Sequence, residues 1–193
     1  MTTHEHSVEL AGVSLAGRNH VCAFFTTIDE EHRVLGSFYK DGLLRGERAA
    51  HVVDPENREE HLKRLAEAGI HVQEMTDTGQ LDVLPWTDAY VRDRRFDQDA
   101  MLATVGQLIR SGAAAGLVEY EARLNHLLSK YTDPVICNYD PSKFGAHVAM
   151  DIIRTHPLVI IGGLLRENPF FVPPDQFLDE MRERRLARKP AVE

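Results

Sequence analysis

The chain has 193 residues, 43% of them hydrophobic and 27% charged, with a net charge of −8. This is the balance and length of one globular domain with its own core, and it excludes disordered, collagen-like and low-complexity classes. The acidic charge disfavours nucleic acid and anionic membrane, the two cysteines make no disulfide framework, and the N-terminus lacks a basic start and an apolar h-region. No apolar run reaches the roughly 18 residues of a membrane span, so the expectation is a soluble cytoplasmic protein.

Residues 1–18 read as a lead-in, 19–188 as a single domain and 189–193 as a tail. Asn19 to Thr27 is a short apolar run bounded by polar residues, a strand buried on both faces. A helix follows from about Asp29 to Arg45, with Val34, Leu35, Phe38, Tyr39 and Leu43 at helical spacing and Gly46 at its C′ position. The stretch RAAHVVD predicts a second strand, and Asp54-Pro55 supplies an N-cap and a proline for the next helix, which Gly69 ends. The runs IHVQEM and QLDVLPW read as short strands around a turn at Asp77 to Gly79.

A helix capped by Asp97 carries Met101, Leu102, Val105, Leu108 and Ile109, and GAAAG at 112–116 joins it to another, from about Leu117 to Tyr131, whose inward face is read as Tyr120, Leu124, Leu127 and Leu128. PVICNYD is the next strand, Asp140-Pro141 opens a helix running to about Arg154, and LVIIGG is a last buried strand. A proline-rich turn leads to a charged terminal helix with Phe177, Leu178 and Met181 inward. Alternating strands and helices predict a mostly parallel sheet with helices on both faces, an αβα sandwich.

Ligands of open parallel sheets sit beyond the carboxyl ends of the strands. Phe24, Phe25, Thr26, Thr27, His51, Asp54, Trp86, Tyr90, Cys137, Tyr139, Asp140, Gly162 and Gly163 fall there, a set rich in aromatics with a few polar groups, suited to a small molecule. Each large apolar residue among them can equally be core. A phosphate loop would lie between His20 and Val34, but that stretch has no Gly and no Lys. It has Asp29, Glu30 and Glu31, which favour the helix dipole and repel phosphate.

His20 and Cys22 share a strand face, and Cys137 and His156 lie on or beside other strands. Together they make a soft-metal set, but without C-x-x-C or H-E-x-x-H spacing the residues favour cysteines buried as small hydrophobes and no metal or other cofactor. Cys137 with a histidine can also form a nucleophile pair, though no nucleophile elbow or family-type cysteine signature accompanies it, and the expectation is no catalysis. His4, His6, His32, His61, His71 and His126 are read as scattered, solvated histidines. The cations Arg182, Arg184, Arg185, Arg188 and Lys189 read as a solvated helix end.

The segment NHVCAFFTTIDEEHRVLGSFYKDGLLRGERAAHVVD resembles the opening of the MEDS domain, the methanogen and methylotroph sensory domain. FDQDAML, EYEARLN, the C-x-Y-D element of Cys137, Tyr139 and Asp140, and MDIIRTHPLVIIGGLLRENPFFVPP also look like that family. The resemblance runs from about Asn19 to the terminal helix. It implies a three-layer, RecA/KaiC-like αβα fold with a mostly parallel central sheet and no Walker A loop, in keeping with the missing glycine and lysine. It also implies a non-catalytic sensor of simple hydrocarbon derivatives that feeds transcription regulators, histidine kinases or anti-sigma-factor kinases. The family pattern carries an extra strand where GAAAG joins the two helices here.

The expected pocket is lined by His20, Cys22, Phe24, Phe25, Thr26, His51, Trp86, Tyr90, Cys137, Tyr139 and His156 and takes a small, largely apolar molecule. The chain ends soon after the domain, so output is expected to pass through a partner protein or through a homodimer. The alternative is an interaction module that has lost its ligand and docks through Pro169 to Pro174.

Overall fold

Two faces of one sheet organise the chain. The computed structural model describes residues 8–15, 17–85 and 114–187. The expected pocket residues Trp86 and Tyr90, the helix after Asp97 and the first two residues of the GAAAG joint lie outside the described residues. A hairpin of β1 (Glu9–Leu10) and β2 (Val13–Ser14) comes first, then β3 (His20–Phe24) and α1 (Ile28–Leu44). β4 (Ala49–Val53), α2 (Arg58–Glu67), α3 (Val72–Asp77) and β5 (Leu81–Pro85) follow. The second half holds α4 (Ala114–Leu128), β6 (Val135–Tyr139), α5 (Ala146–Arg154), β7 (Leu158–Ile161), β8 (Leu164–Glu167) and α6 (Pro174–Ala187).

The strands pair in the order β6-β3-β7-β8, with β3 parallel to both neighbours and β7 antiparallel to β8. β4 and β5 form a separate parallel pair. Because successive strand residues face opposite ways, Val21 and Ala23 of β3 pack with Leu35 of α1, Leu158 and Ile160 on one side. Cys22 packs on the other with Val118 and Ala122 of α4, Ile152 of α5 and Phe177 of α6. Burying an aliphatic side chain such as Leu35 fully contributes about 1.5–3 kcal/mol.

The expected C′ glycine of α1 and the inward face of the terminal helix hold, and the structure adds a cap at the start of α1. Thr27 caps α1 by accepting from the Glu30 N–H, and Gly46 follows its end at φ +84°. Phe177 and Leu178 are buried and Met181 packs beside them. The membrane expectation also stands, in that no helix among the described residues is long and apolar enough to cross a bilayer.

Four local readings are corrected. IHVQEM contains a helix, α3, because Val72 and Met75, three apart, pack together on the core formed by Leu65, Leu81 and Val83, and Gln73 bonds Asp77 one turn on. LVIIGG is not the last strand. Gly162 and Gly163, at φ +58° and +76°, turn the chain into β8, a conformation that glycine adopts at little cost. Asp54 and Asp140 each cap a 3-10 turn, at Pro55–Asn57 and Pro141–Lys143, and the α-helices begin after it. Finally, Leu10 and Leu15 of the opening segment are buried in the core against β3 and α1.

Candidate functional site

Polar side chains gather in two places, one on each face of β3 and β6. On the α4 face, His20 from the start of β3, Cys137 from β6 and His156 from the turn before β7 converge on Glu121 of α4. His20 Nε2 lies 3.3 Å and His156 Nε2 3.5 Å from Glu121 Oε2. Cys137 Sγ lies 3.6 Å from both His20 Nε2 and Glu121 Oε2. The Tyr139 hydroxyl donates to the other carboxylate oxygen, Oε1, at 2.5 Å. His20, Glu121, His156 and Tyr139 are buried and Cys137 is half-buried.

The imidazoles are held from behind. Asn125 Nδ2 donates to the Thr155 and Glu121 carbonyls, so its Oδ1 accepts from His20 Nδ1 at 3.0 Å. The Ile152 carbonyl accepts from His156 Nδ1 at 2.8 Å. Each ring thus spends its Nδ1 proton outward, and in the neutral tautomer presents a bare Nε2 to the carboxylate.

Burial pushes the His20 imidazole down, and His156 adds to that. Burial resists ionisation of Glu121, but the two histidines outweigh it and hold the carboxyl below the ordinary range. These groups act as one unit, in which the carboxylate keeps its charge only when something positive faces it. Burial and the Glu121 charge push the Cys137 thiol and the Tyr139 phenol well up. That direction is opposite to the one an activated cysteine nucleophile needs.

The second place is a cleft of about 990 Å³ between the free edges of β4 and β6. Phe38 and Tyr39 of α1, His51 of β4, His61 of α2, and Ile136 and Asn138 of β6 line it. His51 Nδ1 and His61 Nε2 share a hydrogen bond of 2.8 Å, and His61 Nδ1 and His32 Nε2 one of 3.2 Å. Tyr39 stacks on His51 at 4.4 Å between ring centroids. Glu31 also lines the cleft, where its Oε1 accepts from Asn138 Nδ2 at 3.0 Å.

Burial and the neighbouring imidazoles hold His51 at about 4 and His61 at about 3. Burial raises Glu31 to about 7 and pushes the Tyr39 phenol up. His51, His61 and Tyr39 are therefore uncharged near neutrality. Arg18, Glu47, Arg48 and Asp133 also line the cleft, and Arg18, Glu47 and Arg48 pair with Glu167, Arg45 and Asp82. The reading of His61 as solvated is corrected, since it is only 4% exposed.

The expected pocket residues divide between these places. His20, Cys137, Tyr139 and His156 meet around Glu121. Cys22, in register with Cys137, and Phe24, 5.9 Å from the Tyr139 ring, pack on the same face. Phe25 is buried on the opposite face, and Thr26 is exposed and donates to Glu30 Oε2. That carboxylate occupies the place before α1 where a phosphate loop would bind its anion. His51 lines the cleft, and Trp86 and Tyr90 lie outside the described residues. His20 and His156 stand at the amino ends of their strands and Tyr139 at a carboxyl end, so these residues share no single sheet edge.

Sequence reasoning missed Glu121. Its signal is a carboxylate within the stripe Val118, Glu121, Ala122, Asn125, Leu128, which has the period of a buried helix face.

The family model described as the MEthanogen/methylotroph, DcmR Sensory domain matches residues 19–117 and 102–157, which together span more than half of the chain. No curated protein matches the chain.

Proposed function

Because the chain belongs to the methanogen/methylotroph, DcmR sensory domain family, we propose that it is a sensor whose input is a small uncharged organic molecule seated in the cleft between β4 and β6. The observation that carries this reading is the state of the histidines, the tyrosine and Glu31 in the cleft. His51 and His61 are held neutral, Tyr39 is held protonated, and Glu31 titrates only near pH 7. A charged ligand would lose its water to neutral histidines and a neutral phenol, and would have to compete with the pairs that Arg18, Arg48 and Glu47 already make with Glu167, Asp82 and Arg45. An alcohol, a halocarbon or a similar hydrocarbon derivative would meet apolar area from Phe38 and Ile136 and hydrogen-bonding groups from Tyr39, His51 and Asn138.

The same reading takes the fold as a RecA/KaiC-like three-layer sandwich without a Walker A loop, in a soluble cytoplasmic protein. It has no catalytic step. Occupancy of the cleft shifts the relative placement of the β4–β5 pair and the four-stranded sheet, whose free edges border it. A transcription regulator, a histidine kinase or an anti-sigma partner reads that shift.

Isothermal titration of the chain against a panel of short alcohols, alkanes and halocarbons tests the reading. Saturable binding by at least one member is expected. Ala50→Trp fills the cleft from an exposed position on β4 and is expected to abolish it. Absence of heat across the panel, or unchanged binding by A50W, would contradict the proposal.

A further inference from the structure

The cluster around Glu121 poses a problem that its own protons solve poorly. Both imidazoles are fixed with Nδ1–H pointing away, toward Asn125 Oδ1 and the Ile152 carbonyl. Two bare Nε2 atoms then face one carboxylate oxygen, lone pair against lone pair. His156 Nε2 is buried without a hydrogen-bond partner. Protonating one ring balances the charge but leaves the other Nε2 facing the same oxygen lone pair to lone pair, and protonating both leaves a net positive charge in the core.

A divalent cation solves the charge and the geometry together. Glu121 and a Cys137 thiolate supply two negative charges, and the two neutral imidazoles supply none. In a tetrahedral zinc site with bonds of about 2.0–2.3 Å, neighbouring ligand atoms stand about 3.3–3.7 Å apart. The separations here are 3.3 Å and 3.5 Å from the two Nε2 atoms to Glu121 Oε2, and 3.6 Å from Cys137 Sγ to Oε2 and to His20 Nε2. All four donor atoms lie within 4.8 Å of one another.

The outer contacts are those that metal-ligating groups use. Each imidazole donates its second N–H to an oxygen, which orients the ring and raises its basicity. Tyr139 holds Oε1, leaving Oε2 to bind through one oxygen.

We infer that His20 Nε2, His156 Nε2, Cys137 Sγ and Glu121 Oε2 form a four-coordinate site for a zinc-type divalent metal ion. The site is closed, with four protein ligands. It ties α4 to β3, to β6 and to the turn before β7, and so serves as a staple between the sheet and the helices on that face. Cys22 is not a ligand, and Glu121 stands where a purely soft-donor set would have placed a second thiolate. Binding releases the Cys137 thiol proton to solvent, because the metal bonds the thiolate. The ion lies on the opposite face of the sheet from the cleft, and this inference does not rest on the sensory reading.

The test uses the full chain, stripped of metal and then loaded with zinc or cobalt(II). After desalting, mass-spectrometric elemental analysis is expected to find one metal per chain. The cobalt form is expected to show a thiolate-to-metal charge-transfer band and the intense visible bands of a tetrahedral ion. Cys137→Ser should remove the charge-transfer band, and Cys22→Ser should keep it. H156N should weaken retention, and H61N, in the cleft, should leave it unchanged.

X-ray absorption on the zinc form keeps the inference falsifiable should C137S fail to fold. One sulfur with three nitrogen or oxygen neighbours supports it. No metal retained, no sulfur in the coordination shell, or a charge-transfer band that survives C137S would overturn it.

Discussion

The two histidine clusters use the same side chain to opposite ends. Around Glu121, the Nε2 atoms of His20 and His156 and the Cys137 thiol converge on a buried carboxylate. In the cleft, His32, His61 and His51 bond one another in a chain, while Glu31 turns to Asn138. There the carboxylate, Glu31, lies within 4.8 Å of the His32 and His61 ring nitrogens but is itself raised by burial, and burial with the neighbouring imidazoles keeps His51 and His61 neutral. Histidine count says little about a site, and the position of one carboxylate says much.

The largest expected effect breaks the first cluster. Glu121→Ala removes the acceptor of the Tyr139 hydroxyl and the carboxylate that His20 and His156 face. A stability loss of about 3–5 kcal/mol is expected in urea denaturation, because the remaining polar groups stay buried.

A paired tyrosine substitution compares the two places directly. Tyr139→Phe removes the donor to a buried carboxylate and is expected to cost about 1.5–3 kcal/mol, the value for a hydrogen bond to a charged group. Tyr39→Phe removes a neutral contact with Asn138, at about 0.5–1.5 kcal/mol. Equal losses would erase the distinction between charged and neutral clusters.

The cleft also sets a pH dependence with two opposed limbs. His51 and His61 fall from 6.5 to about 4 and about 3 on folding, so the unfolded chain binds more protons between those values. Their contribution is full above pH 6.5 and is lost as pH falls toward the folded values. Glu31 rises from 4.5 to about 7, so its contribution is full below 4.5 and is lost as pH rises through 7. H61N is expected to flatten the acid limb, and Glu31→Gln to raise stability at pH 8 relative to pH 5. Chemical denaturation at a series of pH values reads both slopes. The smallest effect lies outside both clusters, where Thr27→Ala removes the cap of α1 at about 1 kcal/mol in the same denaturation.

Much of the fold was legible in the sequence because its signals were strong. β3, β6 and β7 are short apolar runs, and α1 has apolar residues at helical spacing and a terminal glycine. β8 was hidden because Leu164 is 57% exposed and only Leu165 of that strand is buried. The Gly162-Gly163 turn before it was the readable sign of a hairpin. α3 was read as a strand because Ile70 and Val72 alternate, and the helical partner, Met75, lies three residues further on.

Within the candidate site, His20, Cys137, Tyr139 and His156 were legible as chemistry-bearing residues on buried strands, but not their shared centre. That centre was missed because the inward face of α4 was read through Tyr120, Leu124 and Leu127, and Tyr120 and Leu127 are only half-buried. The face that includes Val118, Glu121 and Ala122 carries the carboxylate inward. A charged residue within an apolar stripe reads as surface until a neighbouring element supplies its partner.

The most direct measurement is an amide NMR titration of isotope-labelled chain with a short alcohol and a halocarbon. Saturable shifts confined to residues around the cleft are expected, among them Tyr39, His51, Ile136 and Asn138. Absence of shifts, or shifts confined to residues around Glu121 with none at the cleft, would contradict the sensory reading.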